Sequence, residues 1–243
     1  MEHKNVWEKY DEEQLKAVNA LSDAYRTFLD KGKTERECID QIVNRIEKEG
    51  YVELESLIKE NKTLKAGDKV YSVCMNKSIV MYQIGKHSMV EGLNILGAHI
   101  DSPRLDVKQN PLYEDGGIAY LDTHYYGGVK KYQWVTLPLA LHGVIVKKDG
   151  SSTIINDVKD GTTIEVNIGE DEEDLVFFVS DLLIHLAGEQ LEKKAAKVIE
   201  GEALDIVVGN MPIINKDTEK EEKEAVKKNV LQILKNMYDI EEE

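Results

Sequence analysis

Cysteine, proline and positive charge are all scarce in this chain of 243 residues. It has 2 Cys and 4 Pro, and its 31 Lys and Arg stand against 46 Asp and Glu, which gives a net charge of −15. Cys38 and Cys74 lie in apolar sequence surroundings and are too few for a disulfide framework or a zinc knuckle, so they favour a reducing cytosol. A strongly acidic chain repels phosphate backbones, and we therefore expect no nucleic-acid partner.

Long hydrophobic runs are also missing. No stretch approaches the roughly 20 apolar residues that a membrane-spanning helix needs. The opening Met-Glu-His-Lys lacks the cationic and apolar segments of a secretory signal. We therefore expect a cytoplasmic protein with no membrane association. Hydrophobic residues nevertheless make up 42% of the chain and recur along almost its whole length, which predicts a globular protein with a buried core.

Four stretches carry apolar residues at helical spacing. The predicted helices cover 11–32, 34–50, 181–198 and 216–238. Thr34 and Glu37 form the capping-box pattern Thr-x-x-Glu at the start of the second helix, and Gly32 and Gly50 follow the first and second helices as C-terminal stops.

Short β-rich runs alternate with turn residues elsewhere. The runs in 69–85 predict a hairpin that turns at Asn76-Lys77, and Leu93–Ile100 is typical of a buried strand that opens into a loop. Beyond Pro111, glycines separate short runs and favour a small barrel or sandwich. Its predicted strands are 144–146, 153–155, 163–168 and 204–208. The change from helix-rich to turn-rich sequence at Asn110-Pro111 predicts a domain boundary there.

The sharpest local feature is Gly97-Ala-His-Ile-Asp-Ser-Pro103, at the end of the run Leu93–Ile100. A neutral imidazole such as that of His99 is a good zinc ligand, and a carboxylate two residues on, that of Asp101, can orient it. A chance His-x-Asp is also common in a chain with 46 acidic residues. Spacing alone leaves both interpretations open.

A longer pattern resembles a known family. The runs that carry it are Gly97-Ala-His-Ile-Asp-Ser-Pro-Arg-Leu-Asp106, Asn110-Pro-Leu-Tyr-Glu114, His124-Tyr-Tyr-Gly-Gly128, Lys131-Tyr-Gln-Trp134, Pro138-Leu-Ala-Leu-His-Gly-Val144, Asp181-Leu-Leu-Ile-His-Leu-Ala187 and Asp205-Ile-Val-Val-Gly209. In this order they are similar to the M18 family of zinc metallo-aminopeptidases, the aspartyl aminopeptidase and aminopeptidase I group. The resemblance covers nearly the whole chain and is most specific over 97–114.

The resemblance implies an α/β fold: part of a three-layer α/β/α metallopeptidase domain in residues 1–110, and an inserted β-rich dimerisation domain with a terminal helix in 111–243. It implies an aminopeptidase that removes N-terminal residues, acidic ones among the candidates, from peptides through a site with two zinc ions, cobalt being an alternative. His99 resembles the first metal ligand. Asp101 resembles the catalytic-site acid that holds and polarises that histidine. Family members form dimers and tetrahedral dodecamers, so a homo-oligomer is implied.

The chain departs from the family pattern in its metal ligands. The family also needs a bridging Asp, a Glu-Glu pair that gives base and ligand, a further acidic ligand and a second His. None of these stands in its expected context, because the Glu pairs 172–173, 221–222 and 241–243 lie in charged surroundings typical of solvated faces. We therefore expect the C-terminal half of the site to be absent from this chain. The alternative function is an inactive half that serves as an assembly module.

Three other histidines admit two interpretations each. His124, in a polar glycine-rich segment, either bonds within its own loop or contacts the active site of a neighbouring subunit. His142 and His185 lie among apolar residues, which favours core or interface positions over metal binding. Gly127 and Gly128 complete no phosphate-binding pattern, so we assign no nucleotide cofactor.

Overall fold

The computed structural model describes residues 4–146, 163–213 and 223–239. The chain divides into two compact units, Met1–Asp101 and Ser102–Glu243. Both units combine helices with sheets, so the expected α/β class is confirmed. No helix in the described part of the chain is both long enough and apolar enough to cross a membrane.

The first unit is built from three helices and a three-stranded sheet. Its elements are α1 (Glu12–Lys31), α2 (Glu35–Lys48), β1 (Val52–Glu53), α3 (Leu54–Lys59), β2 (Lys69–Cys74) and β3 (Ser78–Gln83), with 3₁₀ helices at Val6–Glu8 and Met89–Glu91. The sheet order is β1-β2-β3; β1 runs parallel to β2, and β2 and β3 form the predicted antiparallel hairpin.

Both predicted N-terminal helices form, and local capping explains where they begin. The amide of Glu37 donates to Thr34 Oγ1 at 3.3 Å, while the amide of Thr34 donates to Glu37 Oε2 at 2.8 Å, so the predicted capping box closes. Asp11 and Gln14 form a second such box at the start of α1. These bonds satisfy amides that the first helical turn leaves without partners.

The core of the first unit lies between α2 and the sheet. Ile39, Val43 and Ile46 on one face of α2 pack with Tyr71 of β2. The Tyr71 hydroxyl donates to Glu47 Oε1 at 2.7 Å, and burial together with this bond raises the pKa of Tyr71. The core therefore joins helix and sheet through both apolar and polar contacts.

The predicted strand Leu93–Ile100 does not form. Residues 92–103 are neither helix nor strand, and Ile95 and Leu96 are 83% and 100% exposed. A strand needs a neighbour to accept and donate its backbone hydrogen bonds, and no described strand pairs with this run. An apolar run was therefore not sufficient to predict a strand here.

The second unit contains a four-stranded and a two-stranded sheet. Its elements are β4 (Arg104–Asp115), β5 (Ile118–Tyr126), β6 (Leu141–Val146), β7 (Thr163–Ile168), β8 (Phe178–Val179), α4 (Gly188–Leu191), β9 (Ile206–Gly209) and α5 (Ala225–Tyr238), with 3₁₀ helices at Lys131–Gln133, Ala195–Lys197 and Gly201–Ala203. The first sheet is antiparallel in the order β4-β5-β9-β8, and β6 pairs with β7.

Residues from both sheets meet in one core in the second unit. Val179 and Ile206 are buried there, and Leu141 and Ile168 of the two-stranded sheet pack against them. Thr123, fully buried in β5, donates its hydroxyl to the carbonyl of Leu204 at 2.6 Å. Residues of the two sheets therefore share one core, and the small barrel or sandwich stays a prediction.

The residues at the predicted boundary, Asn110-Pro111, lie inside β4. Along the chain, the two compact units divide between Asp101 and Ser102. Asn110 has a positive φ of 49°, and the register of β4 against β5 shifts between Val107 and Leu112. Proline has no amide hydrogen and is tolerated at such an irregularity, which explains why turn-like residues occur within a strand.

The helix predicted over 181–198 is wrong. Only Gly188–Leu191 is α-helical, and Leu182, Leu186 and Leu191 of the expected stripe are exposed. A helix gains most of its stability by burying its apolar face, and with these three leucines exposed the stripe is not buried along its length. The predicted strand 153–155 and the Glu pairs 221–222 and 241–243 lie outside the described residues.

Gly32, between α1 and α2, sits in a space that admits no side chain. A Cβ atom there would lie 2.9 Å from the carbonyl oxygen of Phe28 and 3.0 Å from Cys38 Sγ. We predict that Gly32→Ala lowers the free energy of unfolding by about 1–3 kcal/mol through overpacking. Gly85→Ala is the matched control, because its nearest atom is 4.0 Å away and its effect should stay within about 0.5 kcal/mol. Urea denaturation followed by circular dichroism measures both, and equal effects would contradict the prediction.

Candidate metal centre

His99 and Asp101 contact each other at the end of the first unit. His99 Nδ1 lies 3.0 Å from the backbone carbonyl oxygen of Asp101 and 3.1 Å from its carboxylate Oδ1. The imidazole side chain is 83% exposed and the carboxylate side chain 35% exposed. The two residues that sequence analysis selected are therefore together, with the imidazole directed to the surface.

This contact selects one tautomer of the histidine. A backbone carbonyl oxygen only accepts hydrogen bonds, so Nδ1 of His99 carries the hydrogen in this geometry. In the neutral ring the lone pair then resides on Nε2. A histidine that donates through one nitrogen to a carboxylate or carbonyl, and offers the other, has the arrangement found in metal sites.

Ile100, between these two residues, is attached to the α2 side of the unit. Its side chain packs against the core of Ile39, Val43, Ile46 and Tyr71, and its carbonyl oxygen lies 3.7 Å from Cys38 Sγ. Cys38 is buried, and burial raises the pKa of its thiol, with Glu37 and Glu35 adding to the effect. Sequence reasoning missed Cys38 because it stands 62 positions away from Ile100.

The described residues contribute one histidine and one carboxylate to the centre. Within 4–146, 163–213 and 223–239, no three His, Cys, Asp or Glu side chains are grouped so that they could hold a metal ion. A catalytic zinc usually has three protein ligands. The residues present fit a single zinc ligand, the Nε2 of His99, with its orienting acid. Glu172 and Glu173 are exposed, as predicted for a solvated face.

His124 lies on the second unit, near the end of β5 rather than in a loop. Its ring stacks on Tyr125 with centroids 5.1 Å apart, and its Nδ1 is 3.9 Å from Glu202 Oε1. Glu202 also accepts from Lys108 Nζ at 2.7 Å, and Lys108 contacts Asp122 at 2.8 Å. His124 therefore belongs to a polar surface of its own unit and remains more than half exposed.

His142 and His185 behave differently from each other. His142 is nearly buried in β6, and its Nε2 lies 3.0 Å from Glu170 Oε1, which fits the prediction of a satisfied core histidine. His185 is exposed between Ile184 and Leu186, which are exposed as well, so it does not lie in the core of its unit, and the interface position stays a prediction. An apolar sequence context predicts burial only when the segment has something to pack against.

Comparison with known proteins identifies the family. Residues 28–243 match the family model described as aminopeptidase I zinc metalloprotease (M18). The chain belongs to the M18 family of aminopeptidases. A "probable M18 family aminopeptidase 1" of Clostridium acetobutylicum is 57% identical to it over 242 residues, which are 100% of this chain and 49% of that protein. The crystal structure of an M18 aminopeptidase from Thermotoga maritima, 41% identical, aligns with a TM-score of 0.82 over 99% of this chain and 48% of that one.

The M18 chain described here spans about half the length of the curated relatives that it matches. The structure of the S. cerevisiae mApe1 dodecamer aligns with a TM-score of 0.57 at 16% identity, over 91% of this chain and 45% of that one. At that identity the likeness shows the fold alone.

The tautomer of His99 is directly measurable. We predict that the neutral imidazole of His99 carries its hydrogen on Nδ1, because that nitrogen faces the carbonyl and carboxylate of Asp101. Asp101→Ala removes one of the two acceptors and should lower the Nδ1–H fraction. Long-range ¹H–¹⁵N spectra of the imidazole nitrogens measure it, with the exposed His185 as an internal reference. A hydrogen on Nε2 of wild-type His99 would contradict the geometry.

Proposed function

We propose that this chain is the part of an M18 aminopeptidase that supplies His99 and Asp101 to a dinuclear zinc site. The observation that supports this most is the contact of His99 Nδ1 with Asp101, because it leaves Nε2 as the nitrogen that a zinc ion would bond. Family membership supplies the reaction class, the removal of N-terminal residues from peptides.

Each residue has a defined task in this proposal. His99 offers Nε2 to one metal ion, and Asp101 holds the ring and, by accepting its hydrogen, makes Nε2 a better donor. When bound, the metal ions polarise the peptide carbonyl and lower the pKa of the attacking water. Because the imidazole is exposed on this chain, its Nε2 is open to a metal ion and to the complementary half of the site.

The remaining ligands and the general base lie outside the described residues in this proposal. One histidine with its orienting acid does not hold two ions, because three protein ligands per catalytic zinc are usual. The curated relatives carry about as much chain again as the part matched here. We infer that the complementary half of an M18 chain completes the site.

The proposed setting follows from the family resemblance. Residues 1–110 would form part of the catalytic domain and 111–243 a dimerisation domain. Peptides would be the substrates, acidic N-terminal residues a candidate preference, and zinc, or cobalt in its place, the metal. A cytoplasmic homo-oligomer, a dimer that builds into a dodecamer, is proposed in line with the dodecamer of the yeast relative.

Reconstitution with the missing half tests this function. The chain is coexpressed with the remaining half of the Clostridium acetobutylicum relative, and zinc content and peptide hydrolysis are measured. We expect two zinc ions per complex and release of N-terminal amino acids. His99→Ala should abolish hydrolysis, and Asp101→Asn should reduce zinc affinity or activity about 10- to 100-fold because the ring loses its anionic acceptor.

His87→Ala serves as the control, since His87 is an exposed histidine that pairs only weakly, at 3.5 Å, with Glu91. It should leave zinc content and hydrolysis unchanged. Two zinc ions and hydrolysis by the 243-residue chain alone would contradict the proposal of a shared site. Oligomers that form in the complex without zinc or hydrolysis would favour the alternative, an inactive assembly module.

His124 is proposed as a contact between one subunit's β-rich domain and a neighbour's active site. Its exposed ring, stacked on Tyr125 and near Glu202, is available on the surface for such a contact. In the coexpressed complex we expect His124→Ala to lower kcat/KM while analytical ultracentrifugation shows the same oligomer. An unchanged kcat/KM would mean that His124 serves only its own unit.

A further inference from the structure

The segment that carries His99 is attached to the first unit at one place. Every residue from Met89 to His99 is exposed, including Ile95 and Leu96, which are large and apolar. Ile100 is the first residue of this segment that is partly buried, and its side chain packs against the core of α2 and β2. The position of His99 therefore depends on how Ile100 is held.

A second contact holds the same residue through its backbone. Cys38 Sγ lies 3.7 Å from the carbonyl oxygen of Ile100 and 3.5 Å from that of Gly32. The thiol thus stands between the end of α1 and the residue flanked by His99 and Asp101. Its side chain is fixed in turn, because Cys38 is 4% exposed and follows the capping box that begins α2.

We propose that Cys38 and Ile100 are positioning residues of the metal centre, which hold the His99–Asp101 pair on α2 in the geometry that presents Nε2. This inference rests on the proposed function, in which His99 is a zinc ligand. Neither residue touches the metal in this proposal. Cys38 acts through the backbone of Ile100, and Ile100 acts through the peptide groups that join it to His99 and Asp101.

The chemistry of a buried thiol suits this task. A protonated S–H is a donor, whereas a thiolate would repel a carbonyl oxygen, and burial keeps the group protonated by raising its pKa. A metal ligand must be held within about 0.5 Å of its working position to be useful. The apolar core contact restricts the side chain of Ile100, and the contact with the Cys38 thiol restricts its backbone.

The first test uses the 243-residue chain by itself. In a sample with ¹³C-labelled isoleucine methyl groups, we expect the Ile100 methyl to show nuclear Overhauser contacts with the cluster of Ile39, Val43, Ile46 and Tyr71. Cys38→Ala should weaken them about two- to fivefold, Cys38→Ser should retain them because it keeps a donor, and Cys74→Ala, at the exposed cysteine, should change nothing. Unchanged contacts in Cys38→Ala, or equal losses in Cys74→Ala, would overturn the proposal.

A second measurement applies even if Cys38→Ala does not fold. Ile100→Ala removes the apolar anchor, and we expect the Cys38 thiol to react with a maleimide about two- to fivefold faster, while Cys74 reacts at its wild-type rate. An unchanged rate at Cys38 would show that Ile100 is not docked beside it and would overturn the proposal.

The coexpressed complex separates this inference from the proposed function. There we expect Cys38→Ala to lower zinc affinity, measured by competition with a chelator, about 10-fold, and Cys38→Ser to restore most of it. Zinc affinity that is unchanged in Cys38→Ala would remove the positioning role. If the wild-type complex binds no zinc, the proposed function fails, and the two measurements on the chain alone still decide whether Cys38 and Ile100 hold the segment.

Discussion

The packing of α2 on the first sheet is the constraint on which the candidate centre depends. Ile39 is fully buried, and Val43, Ile46 and Tyr71 complete the cluster around it. Burying a side chain of this size stabilises by about 1.5–3 kcal/mol relative to exposure, so the cluster fixes helix against sheet. Ile100 packs on this cluster, and the His99–Asp101 pair is therefore held by the same core that holds the unit together.

Hydrogen bonding then decides what the pair can do. An exposed imidazole has no fixed tautomer of its own, but the carbonyl and carboxylate of Asp101 both accept at Nδ1. The lone pair is thus on Nε2, on the side away from the backbone that anchors the ring. In the proposed metal site the carboxylate orients the histidine without being a ligand, so the two residues act as one group.

Sequence patterns predicted correctly the structures that depend on interactions between residues close in sequence. The capping box at Thr34 and the hairpin turn at Asn76-Lys77 act within a few residues, and both form at the expected positions. Leu93–Ile100 and 181–198 failed because a strand needs a neighbouring strand and an amphipathic helix needs a surface to cover. In the candidate centre, the His-x-Asp run revealed the pair, whereas Cys38 acts across 62 positions and gives no signal in sequence.

The failed strand and the preserved His99–Asp101 contact have one physical explanation. Backbone pairing of 93–98 requires another strand, but the contacts of Ile100 require only α2 and β2, which are present and folded. The end of the segment is therefore ordered by side-chain packing even where its beginning has no hydrogen-bonding partner. In the proposed zinc site, ordering His99 before a metal ion arrives removes part of the entropy cost of binding, because its own unit already holds the segment.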